Sequence, residues 1–307
     1  MSESGVATDA LDVVSVSLGS SRRDTDQTVE LLGRQVRFRR LGVQGDVQAA
    51  AKLIAELDGK VSAIGLGGID LYVPVRSRRY YFRDAQRMAR AAKTTPVVCG
   101  AGLKGSLERA SVSKLAPELG LADKKVLMVS AVDRFGMAQA LVELGADVTF
   151  GDLMFLLGIG VELKRLASLE RLATTLLPVI TRLPFKWIYP TGESQDKTPK
   201  QRFTAAYEKA DVIAGDWHLV KRYAPARLDG KVVLTNTTTA DDVEFLRARG
   251  AAKLVTTTLR LGERSIGTNL LEAAFVAIDG ARGELPGDRY LELIAAAGLE
   301  PTTLILN

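Results

Sequence analysis

The sequence predicts an α/β protein in two parts: an N-terminal mixed α/β region, then a Rossmann-like parallel sheet with C-terminal helices. Three observations carry this expectation. The chain of 307 residues is long enough for two domains of ordinary size. Up to residue 120 the apolar runs are short and closely spaced, as in a sheet with antiparallel pairs. From Leu121 onward, near-continuous apolar runs alternate with helical periodicity, the pattern of strands covered on both faces.

Residues 1–11 read as a tail. The first region, 12–120, opens with VVSVSLGSS, an alternating run ending in small residues. TVELLG and QVRFRRLGV, split at Gly33, read as a strand pair. VQAAAKLIAEL has the spacing of an amphipathic helix. DGKVSAIGLGGIDLYVPV reads as strand, glycine loop and strand, and RRYYF as a further short strand. DAQRMARAAK reads as a helix with Asp84 at its N-cap. TPVVCGAGLKGSLERASVSKLAPELG reads as strand, glycine loop and helix. Arg37 and Arg39 fall on one face at strand spacing, which suits a solvated edge strand.

The second region, 121–265, begins with a βαβ unit: KKVLMVSA, FGMAQALVELG closed by Gly145, and ADVTFGD. A long helix, VELKRLASLERLATTLLPVITRL, follows, with Pro178 and Pro184 marking its end. FKWIYPTGESQDKTPKQRF lacks a period and reads as a long loop or lid. ADVIAGD and KVVLTNTTT are strands, ADDVEFLRARG a helix capped near Thr239 or Asp241, and AKLVTTT a last strand. The closing segment, 266–307, holds two helices, TNLLEAAFVAI and DRYLELIAAAG. These could bury a homodimer surface or complete the core.

Composition narrows the function classes. Apolar residues make up 47% and charged residues 25%, a globular mix. No apolar run approaches the ~20 residues of a membrane span. The opening MSESGVATDALD has no basic segment followed by an apolar one, so no signal peptide is read. The single cysteine, Cys99, allows no internal disulfide and suits a cytoplasmic setting. One cysteine and one histidine also argue against a thiolate or histidine-rich metal site. The net charge of +5 is spread along the chain, without the interleaved aromatics of a nucleic-acid groove, so a small anion rather than nucleic acid is the expected partner.

In an open parallel sheet, ligands bind at the carboxyl ends of the strands, so those loops hold the candidate residues. SAVDRFGMA, residues 130–138, occupies the place of a dinucleotide-binding G-x-G-x-x-G loop but keeps only Gly136. Ser130, Asp133, Arg134 and Gly136 are its cofactor candidates. Asp152 ends the next strand, about twenty residues on, where an acid holds a ribose hydroxyl. Thr237 and Thr238 add a polar strand end. SLGSSRRD offers Ser20, Ser21 and Arg22 to an anion. Gly67 and Gly68 permit close approach of backbone to a substrate. Lys104, near a helix start in CGAGLKGS, and Asp70 could form an acid–base pair if the fold brings them together. His218, near a strand end, is a further acid–base candidate.

VSVSLGSS, AIGLGGIDLY, KVLMVSAVDRFGMA, LPFKWIYPTGE, DVIAGDWH, LTNTTT and GTNLLEA span most of residues 13–280. Together they resemble a bacterial family known as quinate 5-dehydrogenase. The resemblance implies NAD- or NADP-linked oxidation of a polyhydroxy cyclohexane carboxylate, with a substrate region first and a cofactor region second. The chain departs from true shikimate and quinate dehydrogenases in lacking both their glycine fingerprint and their Thr/Ser-x-Pro lysine motif. Lys104 therefore stands on its loop position alone. Two alternatives stay open: a Rossmann-like protein binding SAM or another nucleotide, and a non-catalytic protein that binds a small ligand.

Overall fold

The computed structural model describes residues 10–188, 202–257, 260–261 and 264–307. Residues 1–9 of the expected tail and 189–201 of the expected loop lie outside the described residues. The protein is α/β, with two main sheets whose strands are mostly parallel and, among the described residues, two small two-stranded ones.

The first region runs β1 (Leu11–Ser17), β2 (Thr25–Leu31), β3 (Arg34–Gly42), α1 (Val47–Leu57), β4 (Ala63–Gly67), β5 (Tyr72–Val75), β6 (Arg78–Tyr81), α2 (Arg83–Ala89), β7 (Val97–Val98) and α3 (Ala101–Leu119). Its sheet has the order β2-β3-β1-β4-β7. Only β2 is antiparallel to its neighbour; β5 and β6 form a separate hairpin. β1 lies at the centre because Val13, Val14 and Val16 can be buried on both faces. Asp46 starts α1 by accepting from the amides of Gln48 and Ala49.

Two expectations are corrected here. β3 is an interior strand rather than an edge. Its arginines are tolerated because Arg37 pairs with Asp26 on β2 and Arg39 with Asp12 on β1, diagonal pairs across the ladder. Asp84 is not the cap of α2, since Phe82 holds that position. The Asp84 carboxylate instead accepts from the amide of Phe185, a hundred residues away.

The second region runs β8 (Lys125–Met128), α4 (Phe135–Glu143), β9 (Asp147–Phe150), α5 (Asp152–Phe155), α6 (Leu166–Ile180), α7 (Phe185–Ile188), α8 (Thr204–Lys209), β10 (Val212–Ala214), α9 (Trp217–Tyr223), β11 (Val232–Thr235), α10 (Ala240–Arg247) and β12 (Lys253–Thr256). A short ribbon, β13 (Arg260–Leu261) with β14 (Arg264–Ser265), leads to α11 (Thr268–Asp279), α12 (Gly287–Ala296) and β15 (Thr302–Ile305). The second sheet has the order β15-β12-β11-β10-β8-β9, all parallel except β15. Successive strands therefore leave β8 on opposite sides, which places a topological switch point between β8 and β10.

The long helix α6 begins at Leu166, later than its pattern suggests. Leu163 exchanges backbone hydrogen bonds with Phe150, so the sheet edge captures this stretch before the helix starts. Thr239 caps α10 in a reciprocal capping box with Asp242. The chain then returns: α11 packs across β1 and β4 of the first sheet, α12 packs on α3, and β15 joins the second sheet. α3 and α4 approach closely at Gly105 and Gly136, which sets the second sheet against the first region. Among the described residues, no helix is long and apolar enough to cross a membrane.

Candidate functional site

The carboxyl ends of both parallel sheets open onto one cavity of about 1130 Å³. The first region contributes the loop after β1, the turn after β4 and the start of α3. The second contributes the ends of β8, β9, β10 and β11.

The turn after β4 depends on two glycines. A Cβ on Gly67 would come within 2.9 Å of both Ser15 Oγ and Ser17 Cβ, and Gly68 takes a φ of +68°. This turn delivers Asp70 to the cavity. α3 delivers Lys104, whose Nζ lies 3.2 and 3.0 Å from the two carboxylate oxygens of Asp70. Thus residues 34 positions apart form an ion pair facing the cavity. Burial alone would pull Lys104 down. The carboxylates around it, led by Asp70, outweigh that effect and hold it above its ordinary range. Lys104 therefore carries its proton at neutral pH and acts as a donor, with Asp70 as acceptor.

A second network lies beside it. Arg134 is 3% exposed and donates to Glu108 and, at 3.0 Å, to Asp216; Asp133 lies 3.8 Å away. Burial pushes Glu108 up to about 7 despite Arg134 and Lys104. It also raises Asp133, which accepts from Ser130 Oγ. Arg134 thus serves a buried cluster and is not aimed at a phosphate. Glu108 had one legible signal, its position one helical turn after Lys104 on the same face.

Asp152 is 2% exposed and lines the cavity at the end of β9. Its Oδ1 accepts from the amides of Ala131 and Val132, at 3.0 and 2.9 Å, while its Oδ2 has no hydrogen-bond partner among the described residues. Burial pushes it up to about 7, against those two amides. In a dinucleotide fold such loop amides face the pyrophosphate; here a carboxylate of the chain occupies them. Gly136 does not reach the cavity either. A Cβ there would stand 2.2 Å from the carbonyl oxygen of Gly105, so this glycine serves helix packing. The residues of this loop do not fit a pyrophosphate: two amides are taken, Asp133 adds negative charge, and Arg134 is committed elsewhere.

The loop after β1 divides its expected roles. Ser20 Oγ accepts from the Arg22 amide and Ser21 Oγ from Gln44, and neither serine lines the cavity. Arg22 does, with Arg23 and Arg40. A Cβ on Gly19 would meet Arg40 Nη2 at 2.6 Å and Arg23 Nη2 at 2.8 Å, so two guanidinium groups are packed over one glycine. Burial, then the nearby Arg23, lowers Arg40, with Asp24 in partial compensation. Arg40 is itself held by Asp24 Oδ1 at 2.8 Å, by the carbonyl of Ser20 and by Ser17 Oγ, so the two guanidinium groups form a partly compensated positive patch on the cavity. His218, Thr237 and Thr238 also line the cavity; the His218 amide donates to Asp216. Among the described residues, no group of three or more histidine, cysteine or acidic side chains could hold a metal.

Glu272 fills the start of α3 from a distant part of the chain. This buried acid in the largely apolar α11 accepts from the amides of Gly100 (2.5 Å) and Leu103 (3.1 Å) and from Tyr290 Oη (2.8 Å), so it caps α3. Burial pushes it up to about 7 from an ordinary 4.5. Its stabilising effect is therefore fullest below 4.5 and declines as pH rises toward 7. Glu272→Gln should cost about 1–3 kcal/mol, because both carboxylate oxygens accept and a donor-only NH2 group would replace one of them opposite an N–H or O–H donor. Urea denaturation at pH 5 and pH 8 checks this: the variant should lose that part of the pH slope, and an unchanged slope would refute the assignment.

Residues 102–306 match the model of a family described as a domain of unknown function (DUF8754), and residues 12–99 match a second, also of unknown function (DUF8753). No curated protein matches the chain. Solved structures similar to it include a sugar ABC transport substrate-binding protein from Bordetella parapertussis, at 14% identity and a TM-score of 0.40, covering 98% of this chain and 90% of that one. An ABC transporter solute-binding protein from Agrobacterium vitis with bound allitol shows 11% identity and a TM-score of 0.40, covering 97% and 96%. An NAD-dependent malic enzyme from Thermotoga maritima shows 13% identity and a TM-score of 0.36, covering 94% and 84%. At such TM-scores nothing about the site is carried over from them.

Proposed function

This chain belongs to the family of the domain of unknown function DUF8754, and we propose from its cleft that it binds a small polyhydroxy acid between its two sheets. The observation that carries this reading is the Lys104–Asp70 pair, a charged donor and acceptor facing one cavity. Such a pair suits a hydroxyl group, which both gives and takes a hydrogen bond. Arg23 and Arg40 supply the charge for a carboxylate. Asp152 Oδ2, buried and without a hydrogen-bond partner among the described residues, offers a place for a further hydroxyl.

A second reading is the oxidoreductase that the quinate 5-dehydrogenase resemblance implies. The adjacency of Lys104 and Asp70 favours it, because removing a hydride from an alcohol also requires a place for its proton. The loop at residues 130–136 does not fit the pyrophosphate of NAD or NADP, since Asp152 holds its amides.

Calorimetric titration with quinate, shikimate and glucuronic acid, and separately with NAD⁺ and NADP⁺, distinguishes the readings. Saturable binding of a hydroxy acid without cofactor binding is expected. Lys104→Met should weaken it by roughly 10- to 100-fold, the loss of one charge-assisted hydrogen bond. Saturable NAD⁺ or NADP⁺ binding would favour the oxidoreductase. Failure of every hydroxy acid to bind would remove the first reading.

A further inference from the structure

The polar groups described above account for part of the cavity lining. Another part is apolar. Leu172, Leu176 and Ile180 recur every four residues along α6, half-buried and lining the cavity. Leu169, Ala173 and Leu177, on the adjoining stripe, are buried in the core and anchor the helix. Core packing thus uses one stripe of α6 and leaves its neighbour against the cavity. Leu157 and Leu183 extend this wall while remaining 45% and 39% exposed. Large apolar side chains gathered at a ligand cavity mark a surface that is covered when the ligand is present. The size agrees: about 1130 Å³ exceeds the roughly 300–1,000 Å³ of common ligand sites, far more than one hydroxylated ring fills.

We propose that the ligand is amphipathic, with a hydroxylated, carboxylated head joined to an apolar body that lies along Leu172, Leu176 and Ile180. This rests on the head-group reading above and adds the second half of the molecule. The head meets Lys104, Asp70 and the Arg23–Arg40 pair. The body adds affinity by removing apolar surface from water on both sides, about fourfold for each buried methylene.

The test compares glucuronic acid with octyl glucuronide, used below its micelle concentration, by calorimetry on the full chain. The two share a head, and only the second has a body. Octyl glucuronide should bind at least about 100-fold more tightly, the gain from roughly four methylenes on the wall. Leu172→Asn with Leu176→Asn should remove most of that gain and leave glucuronic acid binding unchanged. Should that variant not fold, methyl NMR of the wild type replaces it. Leucine methyls of α6 should then shift with octyl glucuronide and stay in place with glucuronic acid. If glucuronic acid binds and the octyl chain adds nothing, the apolar body is overturned and the head-group reading stands. If octanol binds as well as octyl glucuronide while glucuronic acid does not bind, the head-group reading fails and the amphipathic ligand with it.

Discussion

Arg134→Met is expected to cost about 3–5 kcal/mol of folding stability, the range for removing one partner from a buried charge cluster. The side chain is 3% exposed and ties Glu108 of α3 to Asp216 at the end of β10, with Asp133 nearby. Methionine fills much of the space but leaves three carboxylates without their cation. The loss should depend on pH. Burial has already raised Glu108 from 4.5 to about 7, so the folded state favours its protonated form. The penalty for its charge is absent below 4.5 and grows as pH rises through 7. Without Arg134 only Lys104 still opposes burial at Glu108, so the deficit should be smaller at pH 5 than at pH 8. Urea denaturation across that range measures it. A loss under about 1 kcal/mol at pH 8 would show that the cluster is not held by this arginine.

Gly136→Ala should destabilise the protein by about 3 kcal/mol, at the upper end for overpacking. The new methyl would stand 2.2 Å from the Gly105 carbonyl oxygen and 3.0 Å from its carbonyl carbon and Cα. All three are backbone atoms of a neighbouring helix, so no side chain can rotate away. α3 and α4 would have to separate, and with them the two sheets that form the cavity. Gly105→Ala is the matched control. Its Cβ meets nothing within 4 Å, so it should stabilise α3 by up to about 1 kcal/mol through helix propensity. Thermal or urea melts of the two variants should move in opposite directions. A neutral Gly136→Ala would mean that the helices shift apart freely, against the geometry described.

Local pattern made much of the fold legible. Alternation between apolar runs and helical periods, with glycines after the helices, marks most strands of both sheets. It cannot show which strands are neighbours. β3 looks like a charged edge and is interior, because Asp12 and Asp26 reach its arginines from two other strands. β15 is missed in a closing segment read as two helices, because it becomes a strand by pairing with β12. The short helices α8 and α9 are too brief for periodicity to register.

The candidate site divides in the same way. Composition and loop position pointed to Lys104, Asp70, Asp133, Asp152 and His218, and each of these lines the cavity. Ser20, Ser21 and Gly136 occupy equally suggestive loops but face their own loop or a neighbouring helix. By itself the sequence determined which residue types stand at the carboxyl ends of strands, since that follows from hydrophobic periodicity within a dozen residues. Only the tertiary structure decided what those residues do. Lys104 met Asp70, Arg134 was consumed by Glu108 and Asp216, and Asp152 took the amides that a pyrophosphate would need. Each outcome depends on which groups remain unsatisfied once distant segments pack and water leaves, and that balance is settled in space rather than along the chain.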